Sequence, residues 1–223
     1  MDQPELLDMG DGSLEDVHKS LRDLERINRY LGGVAAITAH LYPRLQREHG
    51  TINLVDIGTG SAETPRVITR WAARRGMSLH LYALDFSARH LDLAPQSAHV
   101  HLIQGDALNL PFAPDSVDYY LSSLFIHHLP PDNVIALLRD TYARARRGII
   151  MSDLVRGTLP LLGFKLIQPV FARSYITRYD GEVSVKRAYT PSELRDMAHQ
   201  AGISNARVHL HPLFRMTLVA DKC

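Results

Sequence analysis

Apolar residues recur at steps of three and four through Leu14, Val17, Leu21, Leu24, Ile27 and Leu31, with charges between them, and this spacing predicts a helix over 14–31. Ser13, with Asp16 three residues on, reads as its capping box, and Gly32-Gly33 ends it before a second helix over 34–47. The period then changes. Short apolar runs at 53–57, 79–84, 99–103, 117–122 and 148–153 read as strands, and 63–75, 87–93 and 132–146 between them read as helices. Regular alternation of strand and helix predicts a parallel sheet covered on both faces. After Asp153 the alternation stops. Residues 159–176 are rich in Leu, Phe, Ile and Val but punctuated by Pro160, Gly163 and Pro169, and a polar, aromatic run follows over 178–189. Thr190-Pro191-Ser192-Glu193 then starts a helix running to about Gln200 and closed by Gly202. Two final strands, 206–211 and 214–220, lie so close in sequence that they predict an antiparallel hairpin at one sheet edge.

Composition narrows the partners. With 223 residues, 45% of them hydrophobic and 22% charged, the chain is long enough for one well-cored domain. A formal net charge of +1 gives no support for a nucleic-acid partner. The single cysteine, Cys223, rules out a disulfide within the chain and argues against a thiolate metal site. The acidic start, Met-Asp-Gln-Pro-Glu, lacks the basic flank of a signal peptide, and no stretch approaches the ~20 apolar residues of a membrane span, so a cytoplasmic protein is expected.

The most informative segment runs from Leu54 to Asp85. An apolar strand enters a glycine turn (Asp56-Ile57-Gly58-Thr59-Gly60), a helix follows, and a second apolar strand ends in a carboxylate. Gly58 and Gly60 permit a tight turn and close approach of a ligand, and Asp85 at a strand tip can accept both hydroxyls of a ribose. A nucleoside-bearing ligand fits this pattern. Read without that ligand, the glycines are only a tight strand–helix connection and Asp56 only a strand-end cap.

Four motifs in order extend the picture: Val55-Asp56-Ile57-Gly58-Thr59-Gly60-Ser61-Ala62; Ala83-Leu84-Asp85-Phe86-Ser87; Gln104-Gly105-Asp106-Ala107-Leu108; and Ser116-Val117-Asp118-Tyr119-Tyr120-Leu121-Ser122-Ser123 running on to His127-His128-Leu129-Pro130. Together, over about 53–220, they resemble the class I S-adenosylmethionine-dependent methyltransferases, in particular the small-molecule branch that includes quinone-biosynthesis enzymes. The fold implied is α/β: a Rossmann-like, doubly wound, seven-stranded, mostly parallel sheet with an antiparallel C-terminal hairpin, N-terminal helices and a helical cap insertion after strand 5. Its segments are an N-terminal helical cap (1–50), a cofactor-binding core (51–155), a substrate-cap insertion (156–189) and a C-terminal helix and hairpin (190–223).

The resemblance also implies roles. Asp56, Gly58, Thr59 and Gly60 would meet the amino-acid end of S-adenosylmethionine, Asp85 the ribose, Phe86, Asp106 and Ala107 the adenine, and Ser123 the methionine portion. Where the family usually has a third glycine this chain has Ala62, a departure that matters only if the position needs a positive φ; it is read as tolerated. Asp118 begins a strand, far from the ligand edge, and reads as structural.

The acceptor implied is a small hydrophobic or aromatic molecule, methylated on O or C. Residues 122–125 are Ser-Ser-Leu-Phe, unlike the Asn-Pro-Pro-Tyr sequence associated with amino-group methylation. For a phenolic acceptor the candidate bases are His127, His128 and Asp153, in that order. A helix-positioning role is the alternative for the histidines, and no metal is expected from two adjacent histidines without a carboxylate or thiolate partner. The aromatic and arginine residues of 156–189 suit a pocket wall or, equally, a homodimer contact. A non-catalytic cofactor binder remains the rival function, and a nicotinamide oxidoreductase the weaker one, because Glu63 stands where its third glycine belongs.

Overall fold

Helix caps and sheet faces follow directly from local chemistry. The computed structural model describes residues 3–222; Cys223 lies outside them. Helices α1 (Leu14–Tyr30) and α2 (Gly33–Leu45) precede β1 (Ile52–Ile57), α3 (Glu63–Ala73), β2 (Leu79–Asp85), α4 (Ala88–Asp92) and β3 (Val100–Gln104). Then come β4 (Val117–Ser123), a 3₁₀ turn (Ile126–His128), α5 (Pro131–Arg144) and β5 (Ala145–Leu154). The chain continues through α6 (Thr158–Phe171), α7 (Tyr175–Arg187), α8 (Pro191–Gln200), β6 (Arg207–His211) and β7 (Arg215–Asp221). The expected capping box forms on α1, Ser13 with Asp16, and the helix start at Thr190 proves to be a second one, Thr190 with Glu193 on α8. Each satisfies N-terminal amides that the helix itself leaves unpaired.

The sheet has seven strands in the order β3-β2-β1-β4-β5-β7-β6. The first five pair in parallel, and β7 runs antiparallel to both β5 and β6. Successive residues of the central strands feed opposite faces. Val55, Tyr120 and Ile149 pack with Leu137, Leu138, Leu194 and Met197 under α5 and α8, while Leu54, Tyr119 and Ile150 pack with Ile37, Leu41 and Ile68 under α2 and α3. Strands buried on both faces read as near-continuous apolar runs, which is why they stand out in the sequence. Strand order reverses between β1 and β4, and in open α/β sheets that reversal opens a crevice at the carboxyl ends of the strands.

Asp118 has the structural role expected of it: its carboxylate accepts the Asn53 backbone N–H at 2.8 Å and pairs with Arg147 at 3.2 Å. The segment after β5 forms two packed helices. Pro160 sits in the first turn of α6, where its missing N–H leaves no bond unmade. Gly181 of α7 lets the Phe164 ring come so close that a Cβ there would stand 2.1 Å from it.

One expectation needs correction. The position of Ala62 does require a positive φ: Ala62 adopts φ 57°, ψ 37°, left-handed, at the N-cap of α3, so alanine there is strained rather than simply tolerated. A Cβ in that conformation crowds the following carbonyl and costs about 1–2 kcal/mol. Burial of the methyl against Ala83, Ala94 and Val100 offsets part of that cost.

Candidate active site

The glycine turn is fixed by the end of β2. The N–H groups of Gly58 and Thr59 both donate to the Leu84 carbonyl, at 2.9 and 3.1 Å. Gly58 has φ 69°, and a Cβ on it would lie 2.4 Å from the Phe125 ring, so only glycine fits. The Gly60 N–H donates to Asp85 Oδ2 at 2.7 Å, and the Ser87 N–H donates to Asp85 Oδ1 at 2.9 Å. Asp85 Oδ2 thus holds one backbone donor and keeps a second lone pair for a ligand hydroxyl, while Oδ1 also has His90 Nδ1 at 3.3 Å.

Asp56 is buried beneath the turn. Its Oδ2 accepts the Thr59 hydroxyl at 2.7 Å, while its buried Oδ1 has no partner among the described residues. Burial pushes the Asp56 carboxyl up to about 7; the Thr59 hydrogen bond opposes this and the nearby Asp85 charge adds to it. An orphaned buried carboxylate oxygen beside a glycine turn is what a cationic ligand group would satisfy. Asp106 forms its own turn, accepting from the Leu108 N–H at 2.9 Å and from Asn109 Nδ2 at 2.8 Å. Phe86 presents a 78% exposed ring beside it.

Two cavities meet over this turn. The larger, about 640 Å³, is lined by Gly58, Gly60, Asp85, Phe86, Asp106 and Ala107. The smaller, about 320 Å³, takes Asp56, Thr59, Ser123 and His127 with a mainly apolar wall that includes Leu24, Ile27, Leu31, Phe164 and Ile167. Glu5, Leu21, Leu24, Gly58, Gly60 and His128 line both.

At that junction the fold assembles a charge cluster. His127 is buried, its Nδ1 lies 2.7 Å from Asp153 Oδ1, and its Nε2 lies 3.5 Å from Glu5 Oε1. Burial disfavours charge on His127, but Asp153 and Glu5 outweigh it and push the imidazole up to about 10. For Asp153 too, burial opposes ionisation, and the His127 charge wins and holds the carboxyl below its ordinary range. His128 is half-buried; its Nδ1 lies 2.8 Å from Asp8 Oδ2, and its Nε2 lies 3.8 Å from Glu5 Oε2.

Glu5 and Asp8 belong to a segment that sequence periodicity does not reach. The backbone N–H groups of Leu6 and Leu7 donate to the Asp180 carboxylate of α7, at 2.7 and 3.2 Å, and Ser184 donates to Glu5 at 2.8 Å. Burial works against both Glu5 and Asp8, but the histidines hold both carboxyls low. Glu5 is also the carboxylate partner that the histidine pair lacks in the sequence; ligand atoms of Glu5, His127 and His128 lie within 4.8 Å of one another. The two imidazoles lie 4.3 Å apart between centroids, with their planes tilted by 31°.

Arg215, also unanticipated, is buried at the start of β7 beside this cluster. Its Nε donates to the Leu31 carbonyl at 3.3 Å, and its buried Nη1 has no partner among the described residues. Burial pulls its guanidinium down to about 10, against the attraction of Asp153, so it stays charged at neutral pH.

Comparison with known proteins agrees with this architecture. A family model described as a methyltransferase domain matches residues 54–148. A demethylmenaquinone methyltransferase of Anoxybacillus flavithermus is 26% identical over 183 residues, covering 74% of this chain and 75% of that one. Among solved structures, an S-adenosylmethionine-dependent methyltransferase from Aquifex aeolicus superposes with a TM-score of 0.64 at 14% identity, covering 95% of this chain and 99% of that one. Human N-acetylserotonin methyltransferase, solved in complex with S-adenosylmethionine, gives 0.66 at 12% identity, over 97% of this chain and 61% of that one.

Proposed function

We propose, for a chain that is a class I S-adenosylmethionine-dependent methyltransferase, that the methyl group goes to an oxygen or carbon of a small aromatic or quinone-like acceptor held in the smaller cavity. The observation that carries this reading is the placement of that mainly apolar cavity directly against the glycine turn and His128. At about 320 Å³ it suits a one- or two-ring molecule. Its likeness to methyltransferases named for demethylmenaquinone supports a ring acceptor of this kind.

The cofactor would be held by the residues the motifs nominate. Asp56 Oδ1 is free to accept from an ammonium, Asp85 from ribose hydroxyls, and Asp106 with the Ala107 backbone from an adenine edge beside Phe86, while Ser123 faces the methionine end. When bound it supplies an activated methyl on a sulfonium, so the hard chemistry is its own. The chain must orient the acceptor, exclude water and take up a proton.

We assign that proton to His128 in preference to His127. His127, clamped between Asp153 and Glu5 and pushed up to about 10, is already an imidazolium at neutral pH and has no lone pair to offer. His128, half-buried with Nδ1 2.8 Å from Asp8, borders both cavities, so it is the imidazole of the pair that an acceptor can reach. Asp153 acts on His127 as a positioning charge.

Calorimetric titration with S-adenosylhomocysteine, on wild type and Asp85→Ala, combined with transfer of labelled methyl to a panel of phenols and hydroquinones, tests the reading. Tight binding lost in the variant, together with a methylated ring product, is the expected result. Binding without transfer to any ring acceptor would make the chain a cofactor binder and overturn the proposal.

A further inference from the structure

We infer that Arg215 forms an anion-binding subsite in the acceptor cavity, so that the acceptor carries an ionised oxygen (phenolate, enolate or carboxylate) besides the atom that is methylated. This inference rests on the methyltransferase reading only for the word acceptor; the subsite itself stands on the geometry.

Arg215 is 2% exposed, yet it lines the smaller cavity, and its Nη1 has no protein partner among the described residues. The one hydrogen bond its guanidinium makes among the described residues, Nε to the Leu31 carbonyl, fixes the fork without neutralising it. Asp153, the carboxylate whose charge acts on Arg215, is already engaged elsewhere. Asp153 already accepts from His127 Nδ1, the His127 N–H and the Leu154 N–H, and no ion pair joins it to Arg215. A buried guanidinium with an unused donor is costly unless something anionic completes it. Around it the wall is apolar, with Leu31, Leu154 and Phe214 close in the chain or fold, so water is a poor substitute.

Topology says which ligand that is. The cofactor acids Asp56, Asp85 and Asp106 stand at the ends of β1, β2 and β3, on one side of β4. Arg215 begins β7, opposite Leu154 at the end of β5, on the other side of β4. It therefore faces the acceptor and not the nucleoside. His128 and Arg215 line the same cavity, so a ring with its reacting atom at His128 and an ionised oxygen at Arg215 engages both.

The test uses the full chain saturated with S-adenosylhomocysteine. Two matched pairs of probes are titrated by calorimetry: 2-hydroxy-1,4-naphthoquinone, ionised at neutral pH, against neutral 2-methyl-1,4-naphthoquinone, and benzoate against benzamide. Wild type should bind an anionic member about tenfold or more tighter than its neutral partner. The first pair reports an enolate-type oxygen and the second a carboxylate. In Arg215→Met the preference should vanish while S-adenosylhomocysteine affinity stays unchanged, and Arg215→Lys should keep part of it. Equal affinity within both pairs in wild type overturns the inference, as does a preference that survives Arg215→Met. Should Arg215→Met not fold, Arg215→Gln and Arg215→Lys take its place, because His127 lines the same cavity and a wild-type preference alone does not single out Arg215. Failure of S-adenosylhomocysteine to bind would count against the methyltransferase reading, and the anion preference would then be measured on the free chain.

Discussion

Asp153 holds His127 at two points: Oδ1 meets the ring Nδ1 at 2.7 Å, and Oδ2 accepts the backbone N–H at 2.9 Å. Both residues are buried, so removing one charge strands the other. Asp153→Asn should cost about 3–5 kcal/mol of stability, read from urea denaturation. The pH dependence has two limbs. His127 is pushed up to about 10, so its contribution is whole below the ordinary imidazole value of 6.5, erodes above it, and is gone once pH passes about 10. Asp153 is held low, so its contribution is present above the ordinary value of 3.8 and is lost as pH falls through its depressed folded value. Wild type should lose stability on the alkaline side while His127→Gln stays flat there; parallel curves would refute the pairing.

Asp56 predicts a proton signal. Its carboxyl, pushed up to about 7 by burial, is largely protonated in the free protein under mildly acidic conditions, and an ammonium placed at its orphaned Oδ1 would ionise it. Cofactor binding at about pH 6 should therefore release a fraction of a proton, seen as a buffer-dependent calorimetric enthalpy. Asp56→Asn should bind more weakly and show no buffer dependence.

Ala62 separates backbone strain from packing. Ala62→Gly relieves the left-handed strain but removes a buried methyl worth about 0.8 kcal/mol, so the net change should be small. Ala62→Val adds a β-branch in the same conformation and should destabilise by more than about 2 kcal/mol. Equal melting temperatures for the Val and Gly variants would show that the left-handed conformation is not kept.

His128→Ala should lower kcat by about 10²–10⁴-fold with S-adenosylhomocysteine affinity unchanged, measured on whichever ring acceptor is turned over. Asp8→Asn, which alters only the partner of Nδ1, should lower kcat less and leave the cofactor untouched. A full-rate His128→Ala enzyme would move the proton to another group.

Much of the fold was legible because its determinants are local. Ser13 with Asp16 and Thr190 with Glu193 announce their helices within four residues, and strands buried on both faces show as apolar runs. The site was legible only in part. Asp56, Asp85 and Asp106 stand at strand ends where chain order alone places them. Glu5 reaches His127 across more than a hundred residues with no periodic pattern to mark it. Arg215 did leave a trace, as the charge that opens the Met-Thr-Leu-Val-Ala run of a buried strand, but its missing partner is a property of three dimensions. The left-handed Ala62 was hidden for the same reason, since sequence names the residue and not its φ. Pro160, Gly163, Pro169 and Gly181 masked α6 and α7, whose close contact uses the very glycine that disguises the second helix.

Helix α6 walls the smaller cavity through Phe164, Leu166 and Ile167, yet none of its residues is fully buried, and Leu159, Leu162, Leu166 and Val170 are all exposed. So little sequestered surface anchors it that it belongs to the least stable part of the molecule, able to lift while the sheet beneath stays intact. Its amides should surrender deuterium protection long before those of β4. Passage of any molecule in and out of the smaller cavity then becomes a matter of how often this one helix breathes.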